Sequence, residues 1–331
     1  MKLTKGKLAT FIIMIVVFLA FSIFAIVYYY GESYNEFYGK TQAEFSIPGL
    51  DEGFVPQGME YEQGNDIFLI SGYMANGSAS RVYVVNGEEV NYVTFSYNGE
   101  TLTNHFGGIT TDGTGVWIGG EGNVYYLKLE SLLSENADVV EVEDVFMAPN
   151  GADCLTVYNG NYLIVGEFYR EGSYDTDPSH HITTESGREN TAVSFAYQIN
   201  NNDPYGLLEN TNPAFALSTT SQVQGIVITN DQIILSTSYS LPSSTLYFYD
   251  NILEIETVSP ERREFEGLTD AVDTYILDEP KSTLSAPPMT EEIAVKDGSL
   301  YILFENACSK YNMFTRVNLE NVYSLSLAEN A

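Results

Sequence analysis

Positive charge is scarce in this chain. Only 14 Lys and Arg residues stand against 45 Asp and Glu, a formal charge of −31 at neutral pH over 331 residues. Lys2, Lys5 and Lys7 all precede the first acid, Glu32, so the chain beyond residue 31 carries −34. A surface this acidic repels phosphate backbones and anionic headgroups, which excludes nucleic acid as a partner. The other cations are scattered, and a polyanion would find purchase only near Arg81, Arg170 and Arg188. Cysteine is nearly absent as well. Cys154 and Cys308 are too far apart in sequence to define a disulfide without geometry, and no Cys/His spacing forms a zinc site. Also missing are a Gly-x-Ser-x-Gly elbow, a phosphate loop and a dinucleotide fingerprint, which removes three common catalytic frameworks.

What the chain has in quantity is aromatic residues, 25 Tyr and 18 Phe, too much apolar mass for a disordered acidic tail. It also has one long apolar run. No charge occurs from Leu8 to Tyr30, and a helix of that length reaches about 34 Å, enough for a bilayer core. The lysines lie before it and Tyr28, Tyr29 and Tyr30 form an interfacial collar after it, so the positive-inside rule places the N-terminus in the cytoplasm. A cleaved signal peptide is the competing reading, but its apolar region is usually about 7 to 15 residues and ends in small residues. The expected organisation is a cytoplasmic tail at 1–7, a bilayer anchor at 8–30, a linker at 31–41 and an extracytoplasmic domain at 42–331.

That domain repeats. Five segments share a small or polar residue, an apolar strand, a turn and a second apolar strand: Pro56 to Ile70, Phe106 to Ile118, Ala152 to Val165, Val223 to Leu235, and Thr290 to Leu303. Asp112-Gly113, Asn159-Gly160, Asn230-Asp231 and Asp297-Gly298 mark the hairpin turns. Third strands are expected at Ser80–Val85, Asn123–Leu127, Ala192–Ile199, Thr245–Tyr249 and Met313–Val317. Outer strands are expected at Tyr92–Phe95, Val139–Phe146, Phe215–Leu217 and Thr274–Leu277, with Phe45–Ile47 closing the ring beside Met313–Val317. Four strands per unit around an axis make an all-β, five-bladed β-propeller. A β-sandwich is the alternative, and a sixth blade would have to lie between Leu253 and Pro288.

Hairpin geometry sends the starts of the inner strands and the ends of the second strands to one mouth of the central channel. Gln57, His105, Asp153, Gln224, Glu291 and Glu292 come from the starts, and Tyr73, Glu121, Glu167, Tyr239 and Glu305 from the ends. The loop Arg170–Asn190, with His180 and His181, opens on the same face as a candidate lid. An oxygen-rich ring of this kind suits calcium. Paired carboxylates suit glycoside chemistry, and His105 with Asp153 or Glu167 suits proton transfer. Carboxylates near a propeller axis also serve simply to bind water and backbone amides across blades.

Phe54 to Met59 with Ile67 to Tyr73 and Ser80-Arg81-Val82, and Phe106-Gly107-Gly108-Ile109-Thr110, resemble the corresponding runs of the glutamine cyclotransferases, which are five-bladed propellers. The rest of the chain resembles only the generic repeat shared with lactonase-like propellers. The resemblance implies pocket positions at Gln57 and Arg81. It also implies a missing pair of acids, because the family's Phe-Gly-Glu-Gly glutamate falls on Gly107 and its Leu-Tyr-Glu acid falls among Leu69, Ile70 and Ser71. The expected function is therefore binding of a small molecule, glycan or peptide through Gln57, Tyr73, Arg81, Glu121, Gln224, Tyr239, Glu291 and Glu292. A hydrolase or lyase using Asp153, Glu167, Glu305 and His105 is the second expectation, and an acidic docking platform for a basic protein is the third.

Overall fold

The computed structural model of the chain describes residues 5–30, 34–134, 138–208 and 212–329, and within the first of these the side chains of 6–7 and 10–25. Residues 1–4 of the expected tail, the linker residues 31–33 and the Tyr28–Tyr30 collar lie outside the described residues or side chains. Two compact units result, one ending at Asn35 and one beginning at Glu36. The first is the helix Lys5–Tyr30, whose apolar side chains from Phe11 to Leu19 are exposed. Among the described residues no helix is long and apolar enough to cross a membrane. The span expected at 8–30 thus goes without structural support.

The second unit is a five-bladed β-propeller. In order from the axis outward, blade 1 is Phe54–Glu62, Ile67–Met74, Arg81–Asn86 and Glu89–Tyr97. Blade 2 is Ile109–Thr111, Gly115–Gly120, Asn123–Lys128 and Asp144–Met147. Blade 3 is Cys154–Tyr158, Tyr162–Gly166, Ala192–Gln198 and Phe215–Thr219, and blade 4 is Val223–Ile228, Gln232–Thr237, Ser244–Asp250 and Ser282–Ala286. Blade 5 takes Thr290–Lys296, Ser299–Phe304 and Asn321–Ser326 from the end of the chain and Thr41–Ser46 from the beginning. The inner strands touch in chain order, and the fifth touches the first, so the ring is closed.

The second strands show why apolar runs, rather than strict alternation, mark this fold. Val116 and Ile118 pack with Val82, Phe95 and Phe106 between blades 1 and 2, whereas Trp117, between them in sequence, packs with Leu163 and Phe195 between blades 2 and 3. Ile164 repeats the arrangement one blade later, against Ile226 and Leu235. Each blade has two buried faces, so consecutive residues on opposite sides of the pleat are both core. Full burial of one such side chain contributes about 1.5–3 kcal/mol. Positive φ at Asn159 and Gly160, and again at Asp297 and Gly298, lets two-residue turns follow the strand twist.

Three expectations are corrected. Met313–Val317 is not a strand, and the third strand of blade 5 is Asn321–Ser326, which pairs with Thr41–Ser46. Met313 and Phe314 are 86% and 62% exposed, so their hydrophobicity marks a loop tip and not a core face. Thr274–Leu277 does not close blade 4. Val272–Ile276 instead runs parallel to the outer strand of blade 3, and Ser282–Ala286 takes the blade 4 edge. Val139–Phe146 divides likewise, Val139–Glu141 running parallel on blade 1 and Asp144–Met147 completing blade 2. A connection that covers the previous blade's open edge before starting its own satisfies backbone groups that would otherwise template aggregation. The stretch Leu253–Pro288 therefore holds edge strands and no sixth blade.

Candidate functional site

β-Bulges build the mouth at which the inner strands begin. The ladder between the first two strands slips between Pro56 and Gly58 in blade 1, between Val223 and Gly225 in blade 4, and between Thr290 and Ile293 in blade 5. The residues left out of register are Gln57, Gln224, Glu291 and Glu292. A bulge re-aims its side chain while the strand continues, so these four polar residues share a structural cause.

Gln57 is the hub of one cluster. Its Nε2 donates to Glu305 Oε2 at 2.8 Å and to Pro56 O at 2.7 Å, and its Oε1 lies 2.6 Å from His105 Nε2. With the amide assigned that way, His105 Nε2 carries the proton and donates. Tyr73 covers the imidazole with ring centroids 4.1 Å apart. The ring edge is exposed, yet its covered face and the nearby Lys310 ammonium hold His105 down at about 4, burial being the larger cause. His105 is therefore neutral at physiological pH. Lys310 Nζ donates to Tyr73 Oη at 2.6 Å, and Tyr311 Oη lies 3.4 Å from the same oxygen. Burial pushes the Tyr73 phenol well up.

Two acids adjoin this cluster, Glu305 on the Gln57 amide and Glu291 within reach of its charge. Glu305, half-buried, is pushed up to about 7 by desolvation, against the opposing pull of Gln57 and Lys310. Glu291 is 2% exposed and is raised well above the carboxylate range by burial and by the Glu305 and Glu292 charges. The Glu305 charge acts on Glu291, so ionising both carboxyls together is disfavoured.

The other expected residues separate into different environments. Glu167 accepts from His180 Nδ1 at 2.7 Å and from Val193 N at 2.8 Å, while Asp153 accepts from Phe168 N at 2.8 Å and is raised by burial to about 6. The expected pairing of His105 with Asp153 or Glu167 is thus not formed. The histidine paired with Glu167 is His180, and its Nε2 is buried without a hydrogen bond. The loop around it is tied down by Asn190 Nδ2 on Leu277 O at 2.8 Å and by Thr184 Oγ1 on Asp278 Oδ1 at 2.6 Å. Glu121 sits on the rim, accepting from Asn104 Nδ2 at 2.8 Å and from His105 N at 3.2 Å. Tyr239 lies under the Arg170 guanidinium at 4.8 Å, and Gln224 is half-buried on the blade 4 bulge. Arg81 does not join the mouth. It pairs with Glu52, donates to Tyr83 Oη at 2.7 Å and stacks 4.0 Å over Tyr92, holding the entry to blade 1.

Glu292 takes the plainer role. It is 1% exposed at the channel axis, facing the backbone N–H groups of Ile109, Leu155 and Ile226 from three blades, none close or straight enough for a full hydrogen bond. Cys154 and Cys308 are both buried and free. Among the described residues no three His, Cys, Asp or Glu side chains converge as metal ligands. Sequence reasoning missed Lys310 and Tyr311, because they stand on a loop that was read as the approach to a strand. Asn306 fixes that loop, donating to Pro288 O at 2.8 Å and accepting from Leu319 N at 2.7 Å.

No protein-family model and no curated protein sequence matches this chain. Its fold does have counterparts among solved structures. Glutaminyl cyclase from Myxococcus xanthus is 12% identical over 80% of this chain and 91% of its own, with a TM-score of 0.43. A putative oxidoreductase (glucose dehydrogenase) from Thermus thermophilus is 10% identical over 86% and 98%, with a TM-score of 0.41. A nidogen/laminin complex gives 8% identity over 84% and 78%, with a TM-score of 0.41. Likenesses at this level accompany the propeller already established by the sheet topology, and no argument about activity rests on them.

Proposed function

We propose that this chain is a ligand-binding propeller held at the outer face of a membrane by residues 8–30, and that its ligand enters the mouth formed by Gln57, Tyr73, His105, Glu305 and Lys310. One observation carries the reading. Glu305 accepts from the Gln57 amide that also meets His105, and it is open enough to meet a ligand. Neutral His105, the Tyr73 hydroxyl and the Glu305 carboxyl offer donor and acceptor positions around one opening, suited to a small polar molecule, sugar or peptide end. Acid–base catalysis of a hydrolase or lyase type is the second reading, favoured by the Glu305 value of about 7, at which a carboxyl both gives and takes a proton near neutrality.

The test is a thermal-shift screen of the full chain in non-ionic detergent, run with and without chelator so that a calcium requirement would show. A saturable ligand is expected to raise the melting temperature, and Glu305→Gln to weaken its binding at least tenfold while leaving the unliganded fold intact. Product formation that disappears in the same variant would favour the enzyme. No response in parent or variant, alongside salt-sensitive capture of a basic protein, would replace both readings with the docking platform. The anchor is tested separately. Alkaline carbonate washing is expected to leave the chain with the membranes, and its release into the supernatant would remove that part of the reading.

A further inference from the structure

The channel has a second end. Opposite the Gln57–Glu305 mouth, where the inner strands turn into their hairpins, lies a cavity of about 720 Å³, within the size range of small-molecule sites. All five blades contribute to it: Glu60, Thr111, Leu155 and Val157, Val227, and Val295. Its charged lining is wholly acidic, since Glu60, Glu62 and Asp112 have no Lys, Arg or His among them.

Two of these acids are already satisfied. Glu62 accepts from Gly64 N, Asn65 N and Asn65 Nδ2, each at 2.7 Å. Asp112 accepts from Thr114 N at 2.9 Å, Gly115 N at 2.8 Å and Asn201 Nδ2 at 2.6 Å. Glu60 has only neutral donors, Tyr61 N at 2.8 Å and Thr110 Oγ1 at 2.6 Å, and no cation beside it. Behind it along the axis stands Glu292, buried and with neither oxygen in a full hydrogen bond. Glu292 faces the N–H of Leu155, whose residue lines the cavity. Glu60 therefore offers its carboxylate to an apolar-walled space that holds no counter-charge.

We infer that this far cavity is a binding site in its own right and takes a primary ammonium on an apolar stem, the ammonium on Glu60 and the stem against Val157, Val227 and Val295. A carboxylate accepts about four hydrogen bonds, so the two made to Glu60 leave room for an ammonium's charge-assisted contacts. Burial pushes Glu60 up to about 7, which is the behaviour of an acid lacking the cation that such a ligand would bring. A bare metal ion fits poorly, because no three acidic, His or Cys side chains converge there among the described residues.

The experiment titrates the full chain in non-ionic detergent with cyclohexylmethylammonium chloride, cyclohexylmethanol and cyclohexanecarboxylate, by calorimetry and ligand-observed NMR at pH 8. The ammonium is expected to bind at least tenfold tighter than the alcohol, and the carboxylate not to bind. Glu60→Gln should erase the difference, whereas Glu305→Gln at the other mouth should leave it unchanged. Thr229→Trp, at the half-buried rim, should weaken the ammonium at least tenfold by occlusion. Equal binding of ammonium and alcohol by the parent overturns the inference without recourse to any variant. So does loss of discrimination in Glu305→Gln, which would place the ammonium at the first mouth instead.

Discussion

Alanine at Gly58 is expected to leave little folded propeller. A Cβ there would lie 2.2 Å from Ser71 Oγ, 2.3 Å from Gly107 O and 2.8 Å from Ile109 N. The serine can rotate away, but the other two atoms are backbone of the next blade, at the narrowest part of the ring. Gly107 O also accepts the Ser71 hydroxyl at 2.7 Å, so moving that backbone breaks an inter-blade bond as well. Overpacking that displaces backbone costs about 3–5 kcal/mol at the upper end of single substitutions, a large share of a domain's stability. Gly39→Ala is the control. Nothing lies within 4 Å of its would-be Cβ, and in a helix alanine is favoured over glycine by up to about 1 kcal/mol. Urea melts of the two variants against the parent decide the matter. A Gly58→Ala midpoint equal to the parent's would mean that the inner strands do not pack this closely.

The second large effect is an inverted pH dependence. Most folded proteins lose stability in mild acid because their carboxylates are paired, but here the buried carboxyls are raised. Glu305 and Glu60 rise from 4.5 to about 7, Asp153 from 3.8 to about 6, and Glu291, Glu292 and Glu167 move the same way, with burial the first cause in each. Between the unfolded value near 4.5 and the folded value near 7 the native state holds more protons than the unfolded chain. Its stability is therefore fully present below pH 4.5 for these groups and is lost as pH climbs through 7. His105 acts in the opposite sense, since a value held down at about 4 costs stability as pH falls from 6.5. One partly exposed imidazole does not outweigh six raised carboxyls. The melting temperature is expected to fall by on the order of 5 °C or more between pH 5.5 and pH 8. Glu60→Gln should flatten that slope. Surface repulsion in so acidic a chain acts in the same direction but is screened by salt. A slope that vanishes in 0.5 M NaCl would therefore refute the burial explanation.

How far the sequence could be read depended on which force placed each element. The inner hairpins were legible because they combine buried apolar strands with turn residues of positive φ, both local signals. The edges of the blades were not. Val272–Ile276 joins blade 3 and not blade 4, and the chain carries no local mark of that choice. Met313, Phe314 and Val317 supplied a strand-like pattern to a segment whose conformation is set by Asn306, a residue nearby in sequence but buried under another loop. For the site, Gln57, His105, Glu291 and Glu305 were recoverable from hairpin direction alone. Their partners were not, since Gln57 and Glu305 are 248 residues apart and meet only because the ring closes. Arg81, carried to the pocket by family resemblance, is engaged by Glu52, Tyr83 and Tyr92.

That closure sets a timetable for synthesis. Thr41 pairs with Leu325 and Gln42 with Ser324, and Glu44 accepts the Ser324 hydroxyl across 280 positions of chain. At about 5–20 residues per second the first-made strand waits roughly 15 to 60 s for its partner to emerge. Throughout that interval blade 5 does not exist and the nascent edge is open to strangers. Polar Gln42 and Glu44 on that strand make it a poor template for any mate but its own. Until Asn321–Ser326 emerges, then, the propeller is an open arc, and a chain stopped before Asn321 would remain one.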